Sequence, residues 1–350
     1  MLPRLDDVSP VPGGGTCGQW DTGLGDETTL TTGIFDAVRT SCQWAADNAR
    51  FVQIDRDRLA PYARSLASEL SIPPTLDADH HAVDQPDRAL AFVLTLDAIN
   101  FGSGYFPHLR KRPGLSGYFT IATHLKERFD AKGPFSAAEL SELSAAACCG
   151  LFGQDPANRV AGELMELFAA ALNDLGRFLR ERNNGRFQGP VQHAGGSAER
   201  LVSELARMPF YRDVRTLEGR EISFFKRAQL TVADLALALS GSDLAHFDDL
   251  DCLTIFADNL VPHVLRVDGL LHYAPELLAR IEREELIPAG SPEEIEIRAV
   301  ALHAVELLAE QLRTLGQPVT SMRLDYLFWN RGQDPAFKAH PRHRTRTVSY

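Results

Sequence analysis

The sequence contains few cysteines, and their spacing excludes two common ways of stabilising a fold. Five cysteines occur in 350 residues, an odd number, and no Cys-x-x-Cys motif is present. A disulfide framework needs paired cysteines, and a structural zinc site needs ligands in closely spaced pairs. We therefore expect reduced thiols, a cytoplasmic protein and no metal site.

Long apolar runs are also absent. No run approaches the roughly 18 residues that a membrane-spanning helix needs. The first residues, Met-Leu-Pro-Arg-Leu-Asp-Asp, lack the apolar segment of a secretion signal. We expect neither a signal peptide nor a membrane partner.

Positive charge is in deficit. The chain has 36 Lys and Arg against 47 Asp and Glu, so its formal net charge is -11 at pH 7. An acidic surface repels a phosphate backbone, and we therefore expect no duplex nucleic acid as partner. A local basic pocket remains compatible with this balance, because the C-terminal tail clusters Lys338, Arg342, Arg344 and Arg346.

The chain shows no internal repeat, no heptad array and no alternation of strands with helices. The triple glycine at residues 13–15 is neither a dinucleotide site nor a P-loop, because no strand precedes it and no lysine follows in register. Apolar residues instead recur with helical spacing from Ile34 onward. We predict a mostly α fold with a minor β hairpin: residues 1–30 form a mobile arm, and 31–350 form one helical domain, with two sub-lobes as the alternative.

Two helix starts and one hairpin have specific local signals. Ser136 with Glu139 forms a capping box, and Ser291 is followed by Pro and then by Glu at the third helical position. Further helices are predicted for residues 158–181 and 198–208, and residues 88–100 are a buried helix or a buried strand. Glu218-Gly219 between short alternating runs predicts a hairpin over 214–224.

Two segments place charged residues directly beside large apolar ones. Lys226 follows Phe224 and Phe225, and Asp258 lies two residues after Phe256 in an apolar segment. Burying an unpaired charge costs several kcal/mol, so such residues need a partner or a function. The pattern favours a carboxylate and an ammonium on the walls of a pocket for a polar small molecule. The alternatives are a helix cap for Asp258 and a solvated helix start for Lys226.

Other polar residues lie near apolar segments. Asp97 and Asn100 either line a pocket or end a helix that turns through the following glycines. Asp325 lies in an aromatic segment that ends at Asn330, where its carboxylate needs hydrogen-bond partners that a polar ligand can supply.

A pair of histidines, His80 and His81, precedes the Asp97 segment in a polar loop. One of them is a candidate ligand contact, and a solvated pair is the alternative. No His-x-x-x-His or His-x-Glu pattern accompanies them, so they do not indicate a metal.

Seven collinear blocks, which together extend over roughly residues 33–350, make the chain similar to the queuosine salvage protein family. The blocks are LDAINF (96–101), MPFYRDV (208–214), FFKRAQLTVAD (224–234), LTIFADNLVPHVL (253–265), EEIEIRAVALHAVELL (293–308), LDYLFWN (324–330) and HPRHRTRTVSY (340–350).

The resemblance implies a helical fold akin to the helix-hairpin-helix DNA glycosylases. It also implies hydrolysis of queuosine 5′-monophosphate to the base queuine and ribose 5-phosphate. The family's catalytic carboxylate and base-holding aromatic fall on Asp258 and Phe256, and its lysine falls on Lys226. Its aspartate and tyrosine of the L-D-Y block fall on Asp325 and Tyr326. The family's histidine falls on His80, with His81 as the alternative.

The chain departs from the family pattern in two places. After Asn100-Phe101 it reads Gly-Ser-Gly-Tyr where the family often has Cys or Ser followed by Phe-Trp, so we expect that part of the pocket wall to differ from the family pattern. Asn330 replaces an Asp found in some relatives, so a charged contact becomes a neutral one.

Cleavage of an N-glycosidic bond passes through an oxocarbenium-like sugar, which a carboxylate such as Asp258 stabilises. We expect Lys226 to bind sugar or phosphate oxygens, and Arg227, Arg344 and Arg346 to be candidates for the 5′-phosphate. No step needs a metal or a cofactor, and we expect a monomer. The alternatives are a non-catalytic protein that binds a modified nucleobase, or a DNA glycosylase on the same fold.

Overall fold

The computed structural model describes residues 33–70 and 74–350, and most of these residues are helical. The α-helices in these ranges are α1 (Ile34–Asp47), α2 (Arg56–Leu66), α3 (Pro86–Ala98), α4 (Gly117–Lys132), α5 (Ala137–Ser141), α6 (Ala145–Leu151), α7 (Arg159–Arg182), α8 (Gln188–Ala194), α9 (Ala198–Leu205), α10 (Lys226–Ala238), α11 (Val261–Val267), α12 (Pro275–Glu282), α13 (Pro292–Thr314), α14 (Ser321–Arg331) and α15 (Pro335–Lys338).

Four short strands form two separate antiparallel pairs. They are β1 (Val52–Ile54), β2 (Val214–Leu217), β3 (Arg220–Ser223) and β4 (Leu271–Tyr273); β1 pairs with β4, and β2 pairs with β3. The prediction of a mostly α fold with a small hairpin is confirmed. The β1–β4 pair was not predicted, because three residues are too few for an alternating pattern and the partners lie far apart in the chain.

The β2–β3 hairpin turns at Glu218 and Gly219, as predicted. Both residues have positive φ, 49° and 80°, which is the backbone of a type I′ turn and matches the twist of the paired strands. The register pairs Val214 with Ser223 and Leu217 with Arg220. The hairpin therefore returns the chain to the start of α10.

The predicted helix starts are confirmed. Ser136 and Glu139 form a reciprocal capping box at α5, although that helix ends after five residues. At α13 the Ser291 hydroxyl accepts from the Glu294 N–H at 3.3 Å, and Pro292 is the first helical residue. These caps satisfy backbone donors that would otherwise have no partner in the first helical turn.

The ambiguous apolar segment at residues 88–100 is a helix, α3, and ten of its thirteen residues are buried. It belongs to one hydrophobic cluster, which also includes the buried faces of α7 and α10. A second cluster is built largely from α1, α11 and α13. The division of residues 31–350 into one domain or two sub-lobes stays a prediction, as does the likeness to helix-hairpin-helix glycosylases. The arm predicted for residues 1–30 lies outside the described residues.

Two further sequence expectations bear on the fold. None of the helices in the described ranges combines the length and apolar character needed to span a bilayer. Cys42, Cys148 and Cys149 are free and buried. The expectation of reduced thiols therefore holds for these three cysteines.

Candidate active site

The ends of α10, α11 and α14 and the C-terminal tail converge on a cavity of about 620 Å³. Seven of the eleven side chains predicted from the sequence line it: Lys226, Phe256, Asp258, Asp325, Tyr326, Asn330 and Arg344. The other four, His80, Asp97, Arg227 and Arg346, lie outside its lining. The structure thus brings the Lys226 segment and the Asp258 segment, in which charged residues adjoin apolar ones, to the same cavity.

Lys226 is positioned by the turn that connects β3 to α10. Phe225 adopts a left-handed backbone with φ of 48°, which turns the chain into the helix at Lys226. The Lys226 N–H donates to Oδ2 of Asp213 at 3.3 Å, and only 5% of the Lys226 residue is exposed. Burial lowers the pKa of the Lys226 ammonium, and the charge of Asp258 opposes that shift.

Asp258 caps α11 and also faces the cavity. Its Oδ1 accepts from the N–H groups of Leu260 at 2.6 Å and Val261 at 3.3 Å. The helix-cap interpretation is therefore right, and it uses one carboxylate oxygen. Oδ2 accepts no hydrogen bond from the part of the chain that the structure describes, so it remains available to a ligand in the cavity that Asp258 lines.

Asp325 holds the segment that precedes Asp258. Its Oδ1 accepts from the Phe256 N–H at 2.8 Å. Burial and the nearby charge of Asp258 together raise the pKa of Asp325 to about 7, and burial is the larger cause. At neutral pH this carboxyl group therefore exists in both protonation states, and it can donate to or accept from a ligand.

We expect Asp325→Asn to stabilise the fold at high pH and to weaken ligand binding. Burial and Asp258 move the pKa of Asp325 from 3.8 to about 7. Between these values the unfolded chain is ionised while the folded chain keeps its proton, so the free energy of unfolding falls as pH rises and stays low above pH 7. The amide removes this cost, on the order of 2 to 4 kcal/mol at pH 8, and its oxygen still accepts from Phe256.

Chemical denaturation at pH 5 and pH 8 measures the effect, and the stabilisation should be larger at pH 8. Asp174→Asn is the matched control, because burial also raises the pKa of Asp174 and this residue lies outside the cavity lining. It should shift stability in the same direction and leave ligand binding unchanged. A stabilisation by Asp325→Asn that is equal at both pH values would contradict the assigned pKa.

Two aromatic rings form one wall of the cavity. The ring centroids of Phe256 and Tyr326 are 6.1 Å apart with an interplanar angle of 81°. The Tyr326 hydroxyl donates to Oδ1 of Asp234 at 3.3 Å. Aromatic faces beside hydrogen-bonding carboxyl groups are suited to a planar heterocycle with polar edges.

Asp234 is a cavity residue that the sequence analysis did not select. It lies two turns after Lys226 in α10, and both residues line the cavity with Leu230 between them. Burial raises the pKa of Asp234 well above its ordinary value, and the charge of Asp97 adds to that shift. The spacing i, i+4, i+8 from Lys226 was the available signal, since residues so spaced share one helix face.

Asp97 and Arg227 lie behind the cavity wall. The Arg227 guanidinium donates to the carbonyl oxygens of Asp97 at 3.3 Å and Ala98 at 2.7 Å, and it lies 4.8 Å from the ring centroid of Phe101. Asp97 is 1% exposed, and its Oδ2 has no hydrogen-bond partner among the residues that the structure describes. Burial raises the pKa of Asp97 to about 6, and Lys226 limits that shift. These residues support the site electrostatically and do not line the cavity.

Of the two histidines, the structure places His81 on the cavity wall. Its Nε2 is 2.9 Å from the Tyr118 hydroxyl and its Nδ1 is 2.8 Å from the Asp77 carbonyl. His80 lies outside the lining, with Nδ1 2.8 Å from Oγ1 of Thr123. The alternative left open by the sequence, His81, is therefore the one in position to contact a ligand.

The arginines of the C-terminal tail differ in their partners. Arg344 lines the cavity but pairs with Glu284 at 2.6 Å. Arg346 lies outside the lining, 3.9 Å from Glu163. Arg342 lines the cavity, forms no salt bridge or hydrogen bond with the described residues, and interacts electrostatically with Asp258. Arg342 is thus the tail arginine whose charge is left for a ligand.

The tail reaches the cavity because its backbone packs closely against the turn after α3. A Cβ on Gly104 would lie 2.3 Å from the carbonyl oxygen of Thr345, so that turn needs glycine at this position. The Gly102 N–H donates to the carbonyl oxygen of Tyr350 at 2.8 Å. The chain departs from the family pattern at Gly102 and Gly104, and at these two residues its backbone contacts the C-terminal tail.

Within residues 33–70 and 74–350, no group of three or more His, Cys, Asp or Glu side chains is arranged to hold a metal ion. Four carboxyl groups in and behind the cavity wall instead share one ammonium as an electrostatic partner. Asp97, Asp234, Asp258 and Asp325 all interact electrostatically with Lys226. Such a cluster suits proton transfer and the stabilisation of positive charge on a ligand.

Comparison with known proteins identifies the family of the chain that carries this site. The profile of the queuosine salvage protein family matches residues 80–350, which include all the cavity residues described above. The chain belongs to this family. It is similar to the queuosine 5′-phosphate N-glycosylase/hydrolase of Sphaerobacter thermophilus, with 38% identity over 89% of this chain and 97% of that protein. It is also similar to the proteins of the same name from Mus musculus, with 31% identity over 89% and 98% of the two chains, and Dictyostelium discoideum, with 28% over the same shares.

Proposed function

We propose that this chain hydrolyses the N-glycosidic bond of queuosine 5′-monophosphate and releases queuine and ribose 5-phosphate for queuine salvage. The names of its relatives support this substrate. The observation that carries the proposal is that one aromatic-walled cavity is lined both by Asp258, which has a carboxylate oxygen without a hydrogen bond from the described residues, and by the buried ammonium of Lys226.

The reaction breaks the bond between the anomeric carbon and the base nitrogen. A water oxygen bonds to that carbon, one water proton is released, and the departing base acquires a proton. Asp258 lies where its free oxygen can stabilise the positive charge of the sugar or accept the proton of the water. Lys226 supplies an ammonium that holds the surrounding carboxyl groups and a sugar oxygen in place.

The base is expected to lie against Phe256 and Tyr326. The carboxyl group of Asp325, with its pKa raised to about 7 by burial and by Asp258, faces the same part of the cavity. It can accept from the amide and amino donors of the base. Its proton-bearing form, and that of Asp234, can instead donate to the base as the bond breaks.

Arg342 supports recognition of the 5′-phosphate, since it is the tail arginine that lines the cavity and has no ion pair within the described residues. We expect Arg342→Gln to reduce the kcat/KM for the 5′-monophosphate by about 10-fold or more and to leave that for the nucleoside within about 3-fold. A charged hydrogen bond to phosphate contributes about 1.5 to 3 kcal/mol. Steady-state kinetics on both substrates measures the difference.

Arg346→Gln is the matched control, because Arg346 belongs to the same tail but lies outside the cavity lining. Arg346→Gln should change kcat/KM only slightly, and by the same factor for the monophosphate and the nucleoside. If Arg342→Gln lowered the efficiency for monophosphate and nucleoside equally, the phosphate assignment of Arg342 would be wrong.

The test of the proposed function is incubation of the chain with queuosine 5′-monophosphate, with queuine and ribose 5-phosphate followed by mass spectrometry. Parallel samples contain the nucleoside, intact queuosine-containing tRNA, and duplex DNA. We expect base release from the mononucleotide and none from tRNA. Unchanged nucleotide that nevertheless binds would indicate a non-catalytic nucleobase-binding protein. Duplex affinity that falls steeply with salt would indicate a nucleic-acid glycosylase.

A further inference from the structure

A buried ion pair connects the backbones of the two proposed catalytic residues without contacting the cavity. Asp213 precedes β2, and Arg298 lies in the second turn of α13. The Arg298 Nη1 donates to Oδ1 of Asp213 at 3.1 Å, and Nη2 donates to Oδ2. Their side chains are 4% and 0% exposed, and neither residue lines the cavity.

Each member of the pair binds one catalytic segment. Oδ2 of Asp213 accepts from the N–H of Lys226 at 3.3 Å. The Nε of Arg298 donates to the carbonyl oxygen of Ala257, the residue before Asp258, at 2.9 Å. One carboxylate–guanidinium unit thus joins the first residue of α10 to the backbone that presents Asp258.

Both segments need an external support. Lys226 follows Phe225, whose left-handed backbone is unfavourable for a bulky residue, and the Phe224 and Phe225 N–H groups both donate to the carbonyl oxygen of Asp213. Asp258 lies in a non-helical stretch before α11. A shift of about 1 Å in a catalytic group can cost about 10²-fold in rate, so supports of this kind matter to the reaction.

The electrostatic environment keeps the pair ionised. Burial alone would raise the pKa of Asp213, but the charge and hydrogen bonds of Arg298, together with the charge of Arg215 and the bond from the Lys226 N–H, outweigh burial and lower that pKa. Glu294, one helical turn before Arg298, supplies a second carboxylate 3.6 Å from its guanidinium. The guanidinium also lies 3.9 Å from the ring centroid of Phe224 and 4.8 Å from that of Tyr350. Groups from α13, from both ends of the β2–β3 hairpin and from the C-terminal tail therefore hold the guanidinium from several sides.

We propose that Asp213 and Arg298 are positioning residues that fix the separation of Lys226 and Asp258 through their backbones. A buried ion pair is on its own weak evidence for stability, because desolvation offsets much of its Coulomb energy. The placement of this pair between two catalytic backbone segments gives it a specific role. The proposal rests on the proposed function, since it assigns the pair to the same reaction.

Arg298→Lys tests the proposal, because lysine keeps the charge but cannot form the two bonds to Asp213 and the bond to Ala257 together. We expect kcat for queuosine 5′-monophosphate to fall by about 10-fold or more, with KM within about 3-fold of the parent. Calorimetric titration with queuine should show the parent's affinity and one site per chain. One queuine site per chain would show that the variant is fully folded, so a lower kcat would then reflect mispositioned catalytic residues and not a loss of folded protein.

Asp213→Asn is the second variant, because Glu294 still balances Arg298 and the amide oxygen still accepts a hydrogen bond. It should show the same fall in kcat with full queuine stoichiometry. Arg88→Lys is the control: Arg88 pairs with Asp84 and Asp130, outside the cavity lining, and its kcat should match the parent.

The outcomes separate the two proposals. Base release by the parent chain tests the function alone, and an inactive parent would overturn the function first. With an active parent, an unchanged kcat in either folded variant would overturn the positioning role. Two further results would assign the pair to stability alone and would also overturn the positioning role. One is a kcat that falls only in proportion to the queuine stoichiometry, and the other is loss of folding in both variants.

Discussion

Asp258→Asn is expected to lower kcat by about 10²-fold or more while the chain remains folded and still binds the nucleotide. The reason is electrostatic: the variant removes the negative charge that the proposed function places beside the anomeric carbon, and loss of a principal charge stabiliser costs about 10² to 10³ in rate. The amide keeps the oxygen that accepts from Leu260 and Val261, so the cap of α11 survives. Single-turnover base release and nucleotide binding by calorimetry measure the two effects separately.

Asp249→Asn is the matched control for this change. Asp249 caps α9 through the N–H groups of Ala198 and Glu199, at 2.5 Å and 3.0 Å, and lies outside the cavity lining. The same loss of charge from a capping aspartate should leave turnover within about 2-fold of the parent, since helix-capping charges contribute mainly to stability. If Asp258→Asn turned over like the control, Asp258 would be only a helix cap and its catalytic assignment would fail.

The helical part of the fold was predictable because its signals are local. The capping box at Ser136, the Ser-Pro-Glu start of α13 and the Glu218-Gly219 turn each depend on residues adjacent in sequence, and each is present in the structure. The apolar segment at 88–100 has no such signal and was left as helix or strand; its burial on nearly all sides explains why periodicity was uninformative.

The β1–β4 pair shows the limit of local information. Val52–Ile54 pairs with Leu271–Tyr273 across most of the chain. Each strand has three residues, so neither carries a recognisable alternation. The pairing depends on how helices between them pack, and a single sequence does not display that packing.

Residues of the site were predictable where charge lies beside apolar residues. Lys226, Asp258 and Asp325 violate the usual separation of charge from apolar segments, and all three line the cavity. Asp234 was not selected, because its position matters only once α10 is known to present that face to the cavity.

The distinction between cavity residues and their supports was not available from sequence. In the sequence, Arg227 and Arg342 look equivalent, because each is an arginine within one of the blocks that carry the family resemblance. In the structure, Arg227 donates to backbone carbonyls behind the wall. Arg342 lines the cavity without an ion pair. The pairings Arg344–Glu284 and Arg298–Asp213 likewise join residues far apart in the chain, and they decide which charges remain for a ligand.

Lys226→Met is expected to lower kcat/KM by about 10²-fold or more. Methionine fills a similar apolar volume but removes the ammonium that interacts electrostatically with Asp97, Asp234, Asp258 and Asp325. Removing one charged group that clamps the transition state costs about 10² to 10³ in rate. Base release from queuosine 5′-monophosphate measures this loss, and Lys126→Met is the control, because Lys126 pairs with Asp130 away from the cavity.

The same variant should also become less stable relative to the parent as pH rises. Burial raises the pKa of Asp325 to about 7 and that of Asp97 to about 6, and in both cases Lys226 limits the shift. Without the ammonium, both folded-state pKa values rise further above the unfolded values. A carboxyl group with a raised pKa loses stability as pH rises from its unfolded value to its folded value. The difference in melting temperature between parent and Lys226→Met should therefore be larger at pH 8 than at pH 5. An equal difference at both pH values, with turnover near that of Lys126→Met, would show that Lys226 does not hold this carboxyl cluster.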